Sequence, residues 1–484
     1  MLFHTWVFVV FFLIVYPVYV LIRRNNTAMN VWLMLASYVF YGWWNPWYLF
    51  LLFSTSAIDY LMVLFMERSR TPRGRRLWLI VSLVSNFGFL GYFKYSGFIT
   101  DNLNALLAAA GLSIQLPDPV AYPNALLGVM GVSAAHHFVT VILPIGISFH
   151  TFQSMSYTID AYKGNIKMER SFIRFLTFVS FFPQLVAGPI ERARNLLPQL
   201  QSAPRITSQD ITDGLSLVLV GFFKKVALAD YLALYVDKVY AAPANFRAPA
   251  LALATFAFAW QIYFDFSGYT DMARGIARVM GFRLMLNFNN PYVATSLGDF
   301  WNRWHISLST WFKDYLYIPL GGNRHGTFST YRNMFLTMVI SGLWHGAAWT
   351  FVIWGALHAL GRVLTRELER TAFYRDRIPA LLKQLFVFAF VCLAWVFFRA
   401  QSVGDAWLVI SRIFSSGWAN PQFPIVMLVL VMSVWLYQFM YTSRAVLRPL
   451  LELSPVRVTT AMLMIAYLAI VAQPSTKAFI YFQF

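Results

Sequence analysis

The chain has 484 residues, of which 59% are hydrophobic and 12% charged, against roughly 25% charged in ordinary soluble domains. Too few polar residues remain to coat a soluble core of this size, so lipid must solvate much of the surface. The net charge of +18 does not point to nucleic acid, because the basic residues fall in short clusters between apolar runs, at Arg23 and Arg24, Arg68 to Arg76, Lys163 to Arg174 and Arg192 to Arg194. That is the pattern of positive-inside membrane loops. The single cysteine, Cys392, leaves no disulfide framework and no cysteine-based metal site. With 46 Phe, 25 Tyr and 17 Trp, wide interfacial aromatic belts are expected.

In chain order, residues 1–22 carry no cleavage signature and read as a retained first span. Further apolar stretches lie at 28–44, 47–66, 77–99, 139–162, 210–232, 249–280, 331–361, 384–400, 423–441 and 458–474. They predict an all-α, polytopic integral membrane protein of roughly 10 to 12 helices. The arginine cluster at 68–76 places that loop in the cytoplasm, and 100–138, which has no Lys or Arg, falls outside. Alternation from these anchors puts the N-terminus outside. Two segments resist this counting. Residues 171–190 are apolar but flanked by basic clusters and interrupted by Pro183, Gly188 and Pro189. Residues 299–322 mix Asp299, Arg303, His305, Lys313 and Asp314 with aromatics. Both predict re-entrant or interfacial helices buried against protein.

Within the run 331–361, His345 stands near the middle, which places it at midplane depth. Its face then carries Ser341, Gly342, Ala348 and Trp349, and the small residues leave room beside the imidazole. The plain alternative is a histidine that only hydrogen-bonds a neighbouring helix, with Gly342 and Gly346 serving close packing. His358 falls on nearly the opposite face and reads as interfacial. His305, among Trp301, Trp304 and Trp311, is either a second active group or part of an aromatic belt. Gln261 and Asp265 sit one turn apart, and Asp271 can pair with Arg274 at i,i+3, a pairing that is more often scaffold than catalyst. His150 is ambiguous, while His4, His136, His137 and His325 carry no signal. No G-x-S-x-G elbow, H-E-x-x-H, P-loop or G-x-G-x-x-G is present. What is left is a buried imidazole without a protein nucleophile, which suits removal of a proton from an alcohol.

Five ordered blocks, LPIGISFHTFQSMSYTIDAYKG (143–164), FVSFFPQLVAGPIERA (178–193), QIYFDFSGYTDMARGIARVMGF (261–282), FWNRWHISLSTWFKDYLYIPLGGNR (300–324) and SGLWHGAAWTFVIWG (341–355), resemble the membrane-bound O-acyltransferase family. The likeness is strongest to its bacterial branch of alginate O-acetyltransferases and teichoic-acid D-alanylation proteins. Asn302 and His150 stand where that branch often has Arg and Tyr. The resemblance implies a helical bundle around a tunnel, with His345 as catalytic base and His305 as second active-site position. Trp344, Trp349, Ser341, Asp265 and Asp271 are the expected tunnel lining. It implies N-terminal helices with an external segment at 1–138, a catalytic core at 139–365 and C-terminal helices at 366–484, in the bacterial inner membrane. The implied donor is acetyl-CoA or another acyl thioester, with no permanently bound cofactor and no metal. The implied acceptor is an extracytoplasmic polysaccharide such as alginate, reached through an extracytoplasmic partner transferase. D-alanyl or peptidoglycan O-acyl transfer are alternatives within that class. Outside it stands a proton-coupled transporter of envelope precursors that uses Asp265, Asp271 and the histidines as a relay.

Overall fold

A computed structural model describes residues 1–120, 144–442, 447–470 and 479–480. Among them every regular element is a helix and no strand occurs, so the protein is all-α, as its composition demands. Five helices are long and apolar enough to cross a membrane: Trp47–Arg68, Pro72–Ala109, Ala248–Val279, Ala380–Arg399 and Ile425–Thr442. Several of the other predicted apolar stretches are helical but broken or short. Stretch 331–361 is two helices, Gly326–His345 and Trp349–Arg370, and stretch 210–232 is interrupted by a π-helical segment at Phe223–Ala229. Trp6–Ile22 and Ser454–Ile470 stop at 17 residues each. Of the segment 100–138, helix continues to Ala109, and residues 121–143, with His136 and His137, lie outside the described residues.

The chain divides into two compact units, Met1–Ile211 with Ile276–Leu284, and Thr212–Gly275 with Met285–Phe484. In the first, helices Trp47–Arg68, Pro72–Leu90 and Ile147–Lys163 pack against one another around a fully buried carboxylate, Asp59. Ser82 Oγ donates to it at 2.6 Å, Asn86 Nδ2 at 2.8 Å, and Ser154 Oγ also donates. Three neutral donors thus replace the water that lipid cannot supply. His150 belongs to this unit, buried with its Nε2 3.1 Å from Thr55 Oγ1. Segment 171–190 is a nine-residue helix, Phe172–Ser180, followed by irregular chain that stays buried through Ala193. A backbone of this kind at depth is tolerated only inside protein.

The 32-residue helix Ala248–Val279 lies in the second unit up to Gly275. Two glycines per helix, seven residues apart, bring it against the helix Ser208–Phe222. A Cβ on Gly268 would lie 2.8 Å from Gly221 O, and one on Gly275 would lie 2.6 Å from Gly214 O. Such glycine contacts let backbones approach where lipid gives no hydrophobic drive for packing. The π-helical turn at Phe223–Ala229 then sends two consecutive lysines to that helix. Lys225 Nζ lies 2.7 Å from Asp265 and 2.8 Å from Asp230, and Lys224 Nζ lies 2.7 Å from Asp271.

Candidate active site

The site is assembled from three breaks in helical structure within the second unit. The first is at His305. Ser296 Oγ accepts the Asp299 N–H at 3.2 Å and starts the helix Leu297–Arg303, in which Arg303 closes on Asp299 at 2.7 Å. The chain then turns at His305, whose φ of 42° and ψ of 55° lie in the left-handed region, before the helix Ile306–Phe312 begins. For a residue with a Cβ that conformation costs on the order of 1 kcal/mol or more, and it persists only when neighbours impose it. Asn287 does so: its carbonyl accepts Ile306 N–H at 2.9 Å, and its Oδ1 accepts Ser307 N–H at 3.1 Å and Ser307 Oγ–H at 2.9 Å. Asn289 N–H closes the same corner on Arg303 O at 2.9 Å. The result is a His305 ring with no solvent exposure, edge-on to Phe266 at 4.6 Å and stacked with Phe288 at 6.4 Å.

The second break is at His345. It is the last residue of its helix, not the middle of one continuous helix over 331–361. Its helix starts at Gly326, about 30 Å back at 1.5 Å per residue. Gly346 is extended, and the next helix returns from Trp349, so Ala348 and Trp349 do not share a helical face with His345. The hairpin closes on glycines. A Cβ on Gly342 would meet Phe351 O at 2.2 Å, one on Gly355 would meet Met338 O at 2.4 Å, and one on Gly346 would strike the Phe351 ring at 2.1 Å. Gly342→Ala is therefore expected to force the two helices apart, costing about 3 kcal/mol. A thermal-stability assay on the detergent-solubilised variant checks this, and an unchanged melting temperature would contradict the packing described.

The third break is the loop 285–296, which supplies Asn287 and Phe288. Together the three bring His305 and His345 to a ring-centroid separation of 6.4 Å, with relative exposures of 0% and 3%. One oxygen hydrogen-bonded to both rings at ~2.8 Å would bridge nitrogens up to ~5.6 Å apart, which this separation permits. His345 is walled by Trp344, Trp354 and Phe398 at 5.0, 5.1 and 5.3 Å. Trp344 also lies 6.1 Å from His305. Trp349 is 55% exposed at the start of its helix. Ser341, one turn before His345, is buried.

Asp265 is buried and charge-paired with Lys225, and its other oxygen accepts Ile480 N–H at 2.6 Å. Asp271 pairs with Arg274 at 3.5 Å, the predicted i,i+3 contact, and more closely with Lys224. His358 is not interfacial. It has no exposure and packs between Trp301 at 5.1 Å and Trp354 at 4.6 Å. The hairpin is the reason, since the returning helix carries His358 back into the aromatic cluster. Residue-by-residue reading missed Asn287, Phe398 and the lysine pair. The Asn-Asn-Pro run at 289–291 is the turn signal that marks the loop bearing Asn287.

A cavity of about 600 Å³ in the second unit is lined by Ser341, Thr337, Leu308 and Ser309 and by the cationic Lys313, Arg324, Arg362 and Arg366, and neither histidine is part of its lining. Gly298 makes room for one of these: a Cβ there would lie 2.5 Å from the Arg362 guanidinium carbon.

Comparison with known proteins agrees with the five sequence blocks. The sequence profile of the membrane-bound O-acyltransferase family matches residues 147–403. The chain is 42% identical over 390 residues to a probable alginate O-acetylase AlgI of Pseudomonas aeruginosa, covering 80% of this chain and 70% of that one. It is 36% identical over 439 residues to a peptidoglycan O-acetyltransferase of Helicobacter pylori, covering 84% and 78%. It is 29% identical over 275 residues to a teichoic acid D-alanyltransferase of Bacillus subtilis, covering 53% and 69%. A polytopic helical chain with a buried histidine pair, matched over more than half its length by this profile, belongs to the membrane-bound O-acyltransferase family.

Proposed function

We propose that this acyltransferase moves an acetyl group from a cytoplasmic thioester to a hydroxyl on the extracytoplasmic side, and that the final acceptor is a polysaccharide of the alginate type. The observation that carries the donor assignment is the 600 Å³ cavity. Four cationic side chains in its lining suit the phosphates of a coenzyme A thioester, and the lining includes Ser341, one turn from His345. In this reading His345 takes the proton from the acceptor hydroxyl as its oxygen attacks the thioester carbonyl. His305 donates a hydrogen bond to the oxyanion that forms. Collapse breaks the carbon–sulfur bond, and the leaving thiolate takes the proton from His345. Alginate as acceptor rests on the names of the relatives at about 40% identity. Peptidoglycan is the second reading, favoured by the match that covers the larger share of this chain.

The acetyl group is handed to a separate extracytoplasmic transferase. The stretch at 100–138 is too small to fold into a polymer-binding domain, and a polymer cannot enter a buried histidine pair bodily. Purified protein in liposomes, with acetyl-CoA inside and alginate outside, is expected to hydrolyse donor without acetylating polymer. Efficient acetylation without a second protein would defeat the handover. The acceptor itself is read from the ester content of envelope polysaccharides in cells with and without the protein.

Orientation follows from the arginine cluster at 68–76 and the Lys/Arg-free stretch at 100–138. In a Cys392→Ser background, Gln115→Cys is expected to react with an impermeant thiol reagent added outside, and Pro72→Cys is not. The reverse pattern would overturn the orientation, including the external N-terminus.

A further inference from the structure

The first unit holds a second cavity, of about 300 Å³, that the acyl-transfer reading does not use. It lies where one candidate span ends at Arg68 and the next begins at Pro72, which is the depth of lipid headgroups. Its polar wall is Arg75, Lys167 and Arg170, with Glu67 as the one carboxylate among the described lining residues. Glu67 is 3.8 Å from Arg170 and offsets one of the three charges, so two remain uncompensated. The other wall is apolar, formed by Val63, Met66, Ile166 and Met168. An anionic head against an apolar body is the chemistry that such a cavity matches.

The cavity is built by ordered groups. Arg75 Nη2 donates to Tyr162 O at 3.0 Å, and its guanidinium lies 5.8 Å from the Tyr162 ring centroid, which fixes its direction. The loop that carries Lys167 and Arg170 is pinned on both sides. Tyr60 Oη–H donates to Arg170 O at 2.6 Å, and Glu169 N–H donates to Tyr157 Oη at 3.1 Å. The buried Glu169 carboxylate in turn accepts Arg174 at 2.7 Å and Gln201 at 2.8 Å. Arg75 is therefore fixed in direction, and the backbone that carries the exposed Lys167 and Arg170 side chains is held in place, so the three cationic residues come from two separate chain segments.

We propose that this cavity binds the headgroup of an anionic phospholipid, with Arg75, Lys167 and Arg170 on the phosphate and the apolar wall against the start of the acyl chains. Basic pockets between membrane helices recognise anionic lipids by this means, and each Lys or Arg near the surface adds about tenfold at most to the attraction. The site is independent of the histidine pair and of the acceptor reading.

The test is native mass spectrometry of the full-length protein in detergent, titrated with phosphatidylglycerol, phosphatidylcholine or inorganic phosphate. Wild type is expected to retain phosphatidylglycerol at least about tenfold more tightly than phosphatidylcholine. The triple variant Arg75→Gln, Lys167→Gln, Arg170→Gln is expected to lose that margin. Arg75→Lys with Arg170→Lys keeps it, because the charge remains. Met168→Glu, which places a carboxylate in the apolar wall, weakens phosphatidylglycerol and gives a second reading should the triple variant not fold. Equal binding of the two lipids, or unchanged binding in both the triple and the Met168→Glu variants, would overturn the proposal. Displacement of the lipid by millimolar inorganic phosphate would also overturn it, by showing a simple oxyanion site.

Discussion

His345→Ala is expected to abolish acyl transfer while membrane abundance stays near wild type. The imidazole sits at the end of its helix against Trp344, Trp354 and Phe398, and the helix is held by Gly342 and Gly355 contacts that do not involve it. Removing the ring leaves a cavity among rigid aromatics and adds no charge, so the hairpin keeps its register. A small loss of stability, on the order of 1–3 kcal/mol, is compatible with normal insertion. His358 does not substitute. His358 is separated from His345 by Trp354, whose ring lies 5.1 Å from one and 4.6 Å from the other. Acyl transfer at a tenth of the wild-type rate or more would rule out His345 as the base.

His305→Ala is expected to lower the rate by at least the 10²–10⁴ that a positioned acid–base or oxyanion group contributes. The more telling variant is His305→Asn. Asparagine tolerates the left-handed conformation that His305 occupies, so the corner held by Asn287 survives. It also keeps a hydrogen-bond donor but cannot act as a base at neutral pH. If His305 polarises the carbonyl, Asn retains a rate well above that of Ala. If His305 removes the proton, Asn and Ala fall together. Measuring kcat for both substitutions decides the role, and the present account expects the first result.

The residues alone marked His345 and His305 as candidates, each an ionisable group in apolar surroundings, and the resemblance of the five blocks supplied the roles expected of them. The hairpin at His345 was not legible in the sequence. Both of its arms are apolar and no proline divides them, so hydropathy reads 331–361 as one span. The break is carried by Gly346, Ala347 and Ala348, whose small size serves close packing equally well. The misplacement of His358 follows from that single error. Asn287 escaped notice for a different reason. It acts through a backbone carbonyl and one side-chain oxygen on a residue 20 positions away, and nothing local in the sequence marks such a contact. Likewise Asp265 and Asp271 read as a possible relay until Lys225 and Lys224, brought close by the π-helical turn, appear beside them.

The central claim is that acetyl from an internal thioester reaches an external hydroxyl by way of His345. Right-side-out membrane vesicles that retain the whole envelope machinery, loaded with labelled acetyl-CoA and bathed in alginate, test it most directly. The account predicts alkali-labile label on the external polymer from wild-type vesicles, and none from vesicles carrying His345→Ala at equal abundance. Equal labelling of the polymer by the two vesicle types would contradict it.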